Sequence, residues 1–137
     1  MKKNILPLLL ILALSGCANL ISNFDQNSYD SAMDLKARSM TLIEKTDEPA
    51  SMHNLEITEL EAKLTAQLAY EQGKGKSNNL SCKQWEILIA TDGNLLGKLL
   101  SDWKQAKPMS KPYLVEKRIQ IGDAFDEILN LEGAKTK

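Results

Sequence analysis

Between residues 27 and 132 apolar side chains return every three or four positions, and the pattern falls into four segments. In the first, roughly residues 27–46, Tyr29, Ala32, Met33, Met40 and Ile43 share one side of a helix. In the second, roughly 54–72, Ile57, Leu60, Leu64 and Leu68 form a cleaner stripe. The third, roughly 82–106, places Trp85, Ile89, Leu96, Leu99 and Trp103 on one face. The fourth, roughly 112–132, turns Val115, Ile119, Gly122, Phe125 and Leu129 inward, with Leu114, Ile121 and Ile128 widening the stripe. No stretch alternates apolar and polar residues as a half-buried strand would.

Start and stop signals agree with these segments. Asn27 or Ser28 can cap the first helix, and "TDEPAS", with Pro49, ends it. "GKGKSNN" breaks the second, with Gly73 placed where a left-handed residue is wanted. Ser81 and Gln84 form a capping-box pattern for the third, and Ser110 to Pro112 open the fourth, with proline suited to a first turn. Gly133 closes it. "TDGN" at 91–94 reads locally as a turn, yet the apolar stripe stays in phase across it. This predicts one continuous helix that tolerates Gly93 and kinks there. Gly93 and Gly97, one turn apart, would let a neighbouring helix approach closely. The linkers suit antiparallel neighbours. The expected fold is therefore all-α: an antiparallel up-down-up-down four-helix bundle over residues 27–137, with a three-helix core and a detached first helix as the rival.

The N-terminus follows a different pattern. Lys2 and Lys3 precede ten apolar residues, Ile5 to Leu14, and then come Ser15, Gly16 and Cys17. Ten helical residues span roughly 15 Å, about half of a bilayer's hydrocarbon core. That suits a cleaved signal better than a membrane-spanning helix. Leu14-Ser15-Gly16-Cys17 resembles the lipobox of bacterial lipoproteins at all four places. The resemblance implies a diacylglyceryl group on the Cys17 thiol, cleavage between Gly16 and Cys17, and acylation of the new amino group. Two or three chains would anchor the protein stably in a lipid bilayer, where one chain holds only marginally. Ala18, where an Asp tends to retain lipoproteins of two-membrane bacteria at the inner membrane, favours the periplasmic face of the outer membrane. The resemblance covers residues 1–17 alone. Residues 17–26 would be a lipidated tether, and 27–137 a single domain.

Loss of residues 1–16 leaves 121 of 137 residues, a size typical of one domain, and takes the net charge from −1 to −3 because Lys2 and Lys3 leave. That balance argues against a nucleic-acid binder, which carries a basic excess. It also leaves Cys82 as the one cysteine without a lipid.

Three kinds of chemistry come into question for these residues. A metal or haem in the bundle core has little support: there is one histidine, His53, no Glu-x-x-His pair and no haem-attachment motif. His53, near a helix start, fits a cap or a surface contact, and no cofactor is expected. Cys82 sits in a first helical turn beside Lys83, where the helix dipole favours a thiolate, but it projects onto the Trp85–Ile89 face, where cysteine acts as a small buried hydrophobe. Asp92, Lys36 and Arg118 fall inside apolar stripes. A buried carboxylate needs a partner, so Lys36–Asp92 is a candidate buried pair, unless small rotations put these residues at stripe edges.

One further expectation comes from topology. A helix 1 held at the membrane puts Lys74, Lys76, Lys83, Lys135 and Lys137 at the same end, where anionic headgroups would attract them. The opposite end, "TDEPASMH" and "KQAKPMSKP", would be free to meet a partner. The leading expectation is a non-enzymatic, membrane-tethered envelope module. A small-ligand-binding bundle and a thiol-dependent enzyme or redox sensor using Cys82 are the alternatives.

Overall fold

The computed structural model describes residues 21–137. The signal segment and lipobox, Gly16 and Cys17 included, lie outside the described residues. Five α-helices follow one another: α1 (Gln26–Ile43), α2 (Asn54–Gly73), α3 (Asn79–Ile89), α4 (Leu96–Lys104) and α5 (Lys111–Ala134). Short 3-10 turns at Ala50–His53 and Lys76–Asn78 lead into α2 and α3. There is no strand among the described residues.

Local chemistry explains most of the ends. Asp25 caps α1 by accepting from the Asn27 amide at 2.9 Å, which frees Ser28, an expected cap, to turn inward. Ser110 caps α5 through the Tyr113 amide, with Pro112 in the first turn as expected. The left-handed glycine after α2 is Gly75 (φ 87°), two residues beyond the expected Gly73. The turn it makes is longer because residues 76–78 form their own 3-10 turn.

The core is one cluster shared by all five helices. On α2 the expected stripe is correct: Ile57, Leu60 and Leu64 are buried and Leu68 packs against them. The faces of α1 and α5 are rotated from the expected ones. On α1 the buried line is Ser28, Ala32, Leu35, Ser39, Leu42 and Ile43, and Met33 is exposed. On α5 it is Lys117, Ile121, Phe125, Ile128 and Glu132, while Val115 and Ile119 are 61% and 59% exposed. α1 and α5 run antiparallel along a regular seam. Arg118 meets Glu44, Gly122 lies beside Met40, Asp126 meets Lys36, and Gly133 lies beside Tyr29. Trp85 of α3 and Phe125 of α5 cross edge to face at 6.0 Å in the middle of the core.

The expected single helix over 82–106 is two helices. The capping box expected at Ser81 and Gln84 is not the start either, because α3 already begins at Asn79. Ala90 leaves the helix with extended backbone (ψ 122°), and residues 91–95 turn the chain before α4 begins. The stripe stayed in phase because both helices face the same core, through Trp85 and Leu88 on one and Leu96, Leu99, Leu100 and Trp103 on the other. Two residues make the corner. Gly97 backs so closely onto α3 that a Cβ there would sit 2.0 Å from the Ile89 carbonyl oxygen. Lys117 reaches over from α5, almost fully buried, and donates to the Asn94 carbonyl at 2.8 Å and to its side-chain oxygen. A backbone carbonyl freed by the helix break thereby regains a partner.

Candidate functional site

Two helices end in the same way. α2 finishes with Glu71 and Lys74, and α5 with Glu132 and Lys135, each pair three residues apart. Both glutamates are on the core face and 0% exposed. A carboxylate in the last helical turn faces the negative end of the helix dipole, and burial adds a desolvation cost. Each therefore needs its lysine and further donors, and each has them.

Around Glu71, Gln67 donates from one turn earlier at 2.7 Å and Ser28 of α1 donates from across the core. Lys74 pairs with Glu71 at 3.0 Å and also bonds the Ser28 hydroxyl. The 3-10 turn after Gly75 brings Asn78 beneath the helix end, where its amide donates to the Glu71 carbonyl at 2.9 Å and its carboxylate at 2.6 Å. The same Asn78 links to the second carboxylate, because its oxygen accepts from Lys135 at 2.8 Å. Lys135, 5% exposed, also donates to Ser81 of α3 and to both oxygens of Glu132, and Ser81 donates to Glu132 at 2.6 Å. The result is a buried, hydrogen-bonded chain of charges joining α1, α2, α3 and α5 at one end of the domain.

The residues that lead into α1 are stitched to this network. The Ser22 amide donates to the Ser77 carbonyl and the Phe24 amide to the Thr136 carbonyl, both at 2.9 Å. Ser22 Oγ donates to Asn78 at 2.6 Å, and Lys137 Nζ lies 5.2 Å over the Phe24 ring. Asp25 accepts from the Tyr70 hydroxyl at 2.7 Å and pairs with Lys74 at 3.0 Å. Partial burial pushes the Asp25 carboxyl up, but the Tyr70, Lys74 and Asn27 donors outweigh it and bring it down to about 2. Burial likewise works against the Lys74 charge, and its bonds to Asp25 and Glu71 win, so its pKa is raised. An open hollow of about 770 Å³, lined by Ile21, Phe24, Tyr70, Lys74 and Ser77 among others, lies beside the lead.

The residues singled out in the sequence go elsewhere. Asp92 is exposed in the α3–α4 turn and does not meet Lys36, which pairs with Asp126 across the α1–α5 seam. The helix break carries Asp92 out of the stripe that seemed to contain it. Arg118 is half exposed and pairs with Glu44 at 2.6 Å, a surface contact worth about 0–1 kcal/mol. Of the five lysines expected at the membrane end, Lys74 and Lys135 are consumed by the network, leaving Lys76, Lys83 and Lys137 exposed. Of the groups that are buried and charged, Glu71, Glu132, Lys117 and Asp102 were not among the expected site residues, and Lys135 was expected at the membrane surface rather than in a buried pair. Asp102 is bridged by Lys98 and Lys107, which hold its carboxyl below the usual range. A sequence signal did exist for three of them, Glu71, Glu132 and Lys135: "EQGK" and "EGAK", a Glu-x-x-Lys closing α2 and α5.

Cys82 is buried on the α3 face, as the helical projection suggested. Burial first, then the charges of Glu71 and Glu86, push its thiol pKa up, which opposes thiolate chemistry. In the full chain carrying Cys17→Ser, a disulfide-exchange reagent is expected to modify Cys82 roughly 100-fold more slowly than in urea-unfolded chain. Equal rates, followed by absorbance of the released thiolate, would mean that the thiol is open in the folded state. No group of three or more potential metal ligands converges among the described residues. His53 directs its two ring nitrogens to carboxylates on different sides, Glu48 and Glu56.

Fold and site together define an all-helical domain closed at one end by a buried ion-pair network that binds its own N-terminal lead. Compared with known proteins, the chain matches no family model, no curated sequence and no solved structure.

Proposed function

We propose that this chain is a bacterial envelope lipoprotein, anchored through acylated Cys17 at the periplasmic face of the outer membrane, and that its domain binds or positions a partner without catalysing a reaction. The observation that carries the reading is the stitched lead. Ser22 and Phe24 are hydrogen-bonded to the α2–α3 turn and to Thr136. Five residue steps separate Cys17 from Ser22, at most about 18 Å of extended chain. A lipid on Cys17 would thus hold the domain with the network end against the bilayer and the His53 end outward. The helices then act as an antiparallel up-down-up-down bundle in which α3 and α4 together form the third post.

The polar chemistry favours a scaffold. The buried carboxylates and ammoniums are saturated by one another, as in a structural lock. The ligand-binding alternative loses its contacts, since Asp92 and Arg118 face solvent and Lys36 sits on the α1–α5 seam. The thiol alternative loses its nucleophile to burial. The outward end offers Met52 and Leu55, 69% and 72% exposed.

Mass spectrometry of the chain purified from membranes is the test. The expected result is an N-terminus at Cys17 with the mass of two or three acyl chains, absent from Cys17→Ser, which stays unprocessed. An unmodified Cys17 in the membrane-derived protein would remove the anchor. In-cell crosslinking from position 52 or 55 that yields no adduct would remove the partner.

A further inference from the structure

His53 closes the 3-10 turn that leads into α2 at the outward end of the domain, and the residue is 9% exposed. Nε2 lies 2.7 Å from Glu48 Oε2, and Nδ1 lies 3.0 Å from Glu56 Oε1. Carboxylates accept and do not donate, so both contacts are hydrogen bonds only when both ring nitrogens carry protons. A neutral imidazole has one N–H. Its other nitrogen would then turn a lone pair toward a carboxylate.

The two carboxylates are not equally held. Glu56 is on α2 and also pairs with Lys45 at 2.5 Å. Glu48 belongs to the loop between α1 and the 3-10 turn, and its carboxylate pairs with His53 alone among the described residues. The same residue's carbonyl accepts from Trp103 Nε1 at 2.8 Å, and the Trp103 ring packs on the His53 ring at a centroid distance of 5.6 Å. Of the other charged groups on this side, Asp102 is engaged by Lys98 and Lys107 and Lys104 by Glu61, while Asp47, exposed in the same loop, is in no ion pair among the described residues. Between the loop and α4 lies a hollow of about 410 Å³ lined by Thr46, Glu48, Pro49, Trp103, Lys107 and Met109 among others.

We propose that the loop of residues 44–49 is a proton-operated latch over Trp103, closed around the His53 imidazolium and released through Glu48 when that proton leaves. Release frees the loop from the ring that fixes it and lets solvent reach Trp103, 4% exposed in the closed form, from the already open hollow at the end of the domain away from the network. The direction in pH follows from the partners. Bonds to Glu56 and then Glu48 raise the His53 pKa against the opposing effect of its burial. A raised histidine pKa means that the latch energy is fully present below the unfolded value of about 6.5 and is lost as pH rises through the folded value.

His53 is the sole histidine, so its imidazole proton resonances need no assignment. The experiment uses the full chain in detergent with Trp85→Phe, leaving Trp103 as the one indole. The imidazole is titrated by NMR while acrylamide quenching of Trp103 is recorded over the same pH range. The expected result is a His53 midpoint above 6.5, with quenching rising at that midpoint. Glu48→Gln is expected to shift both midpoints down together. His53→Gln should make quenching independent of pH, and if that variant does not fold, Glu48→Gln alone carries the comparison. A midpoint at or below 6.5, or flat quenching across the titration, would overturn the latch.

Discussion

Replacing Lys135 by methionine is expected to lower the stability of the domain by about 3–5 kcal/mol, the range seen when one partner of a buried ion pair is removed. The side chains are of similar length, so the packed stem survives and the lost element is the charge. Lys135 donates to Asn78, Ser81 and both oxygens of Glu132. Without it, Glu132 remains as a carboxylate with 0% exposure and one hydroxyl donor, Ser81. Adding Glu132→Leu removes the orphaned charge, and the double variant is expected to recover most of the loss, since apolar replacement of a whole buried pair is often neutral. Urea unfolding followed by circular dichroism measures both. At a typical slope of about 2 kcal/mol per molar for a small domain, the single variant should move its midpoint down by about 2 M. Two equally destabilised variants would show that packing of the Lys135 stem, rather than its charge, holds this end together.

The second large effect is expected at Gly97. An added Cβ would stand 2.0 Å from the Ile89 carbonyl oxygen, 2.4 Å from the carbonyl carbon and 2.9 Å from the Ala90 carbonyl carbon. All three are backbone atoms, so no side chain can swing away. Gly97→Ala should destabilise by about 3 kcal/mol or more, at the upper end of the overpacking range, although alanine is the better helix former. Gly73→Ala is the comparison: it is the last residue of α2, and nothing lies within 4 Å of its Cβ position. It should be neutral or slightly stabilising in the same urea series. A tolerated Gly97→Ala would mean that the corner between α3 and α4 is free to open.

These sites also show where the pattern of apolar residues runs out. It located every long helix, and on α2 it located the face, because Ile57, Leu60 and Leu64 bury with no ionised residue among them until Glu71. On α5 the buried face begins at Lys117 and ends at Glu132. A face bounded by charges scores as polar, so the apolar pattern points instead to Val115 and Ile119, which are exposed. The same happened on α1, where Ser28 and Ser39 belong to the buried line. What decides these faces is the availability of partners on other elements: Asn94 for Lys117, and Ser81, together with the adjacent Lys135, for Glu132. Periodicity holds no information about groups on other elements of the chain. The "TDGN" turn was legible locally and was overruled by the stripe. The overruling failed because two short helices can share one core in phase. Of the network, only the repeated Glu-x-x-Lys at helix ends was visible in advance.

The stitched lead determines how a load would travel through the molecule. Tension between the N-terminal residues and anything grasping the far end would arrive first at the Ser22–Ser77 and Phe24–Thr136 backbone bonds. It would pass from them into the α2–α3 turn and the end of α5, sharing the pull among several helices. Without those bonds α1 would be drawn out alone from its seam. A pull on the N-terminal residues would therefore have to load several helices at once before α1 could unravel.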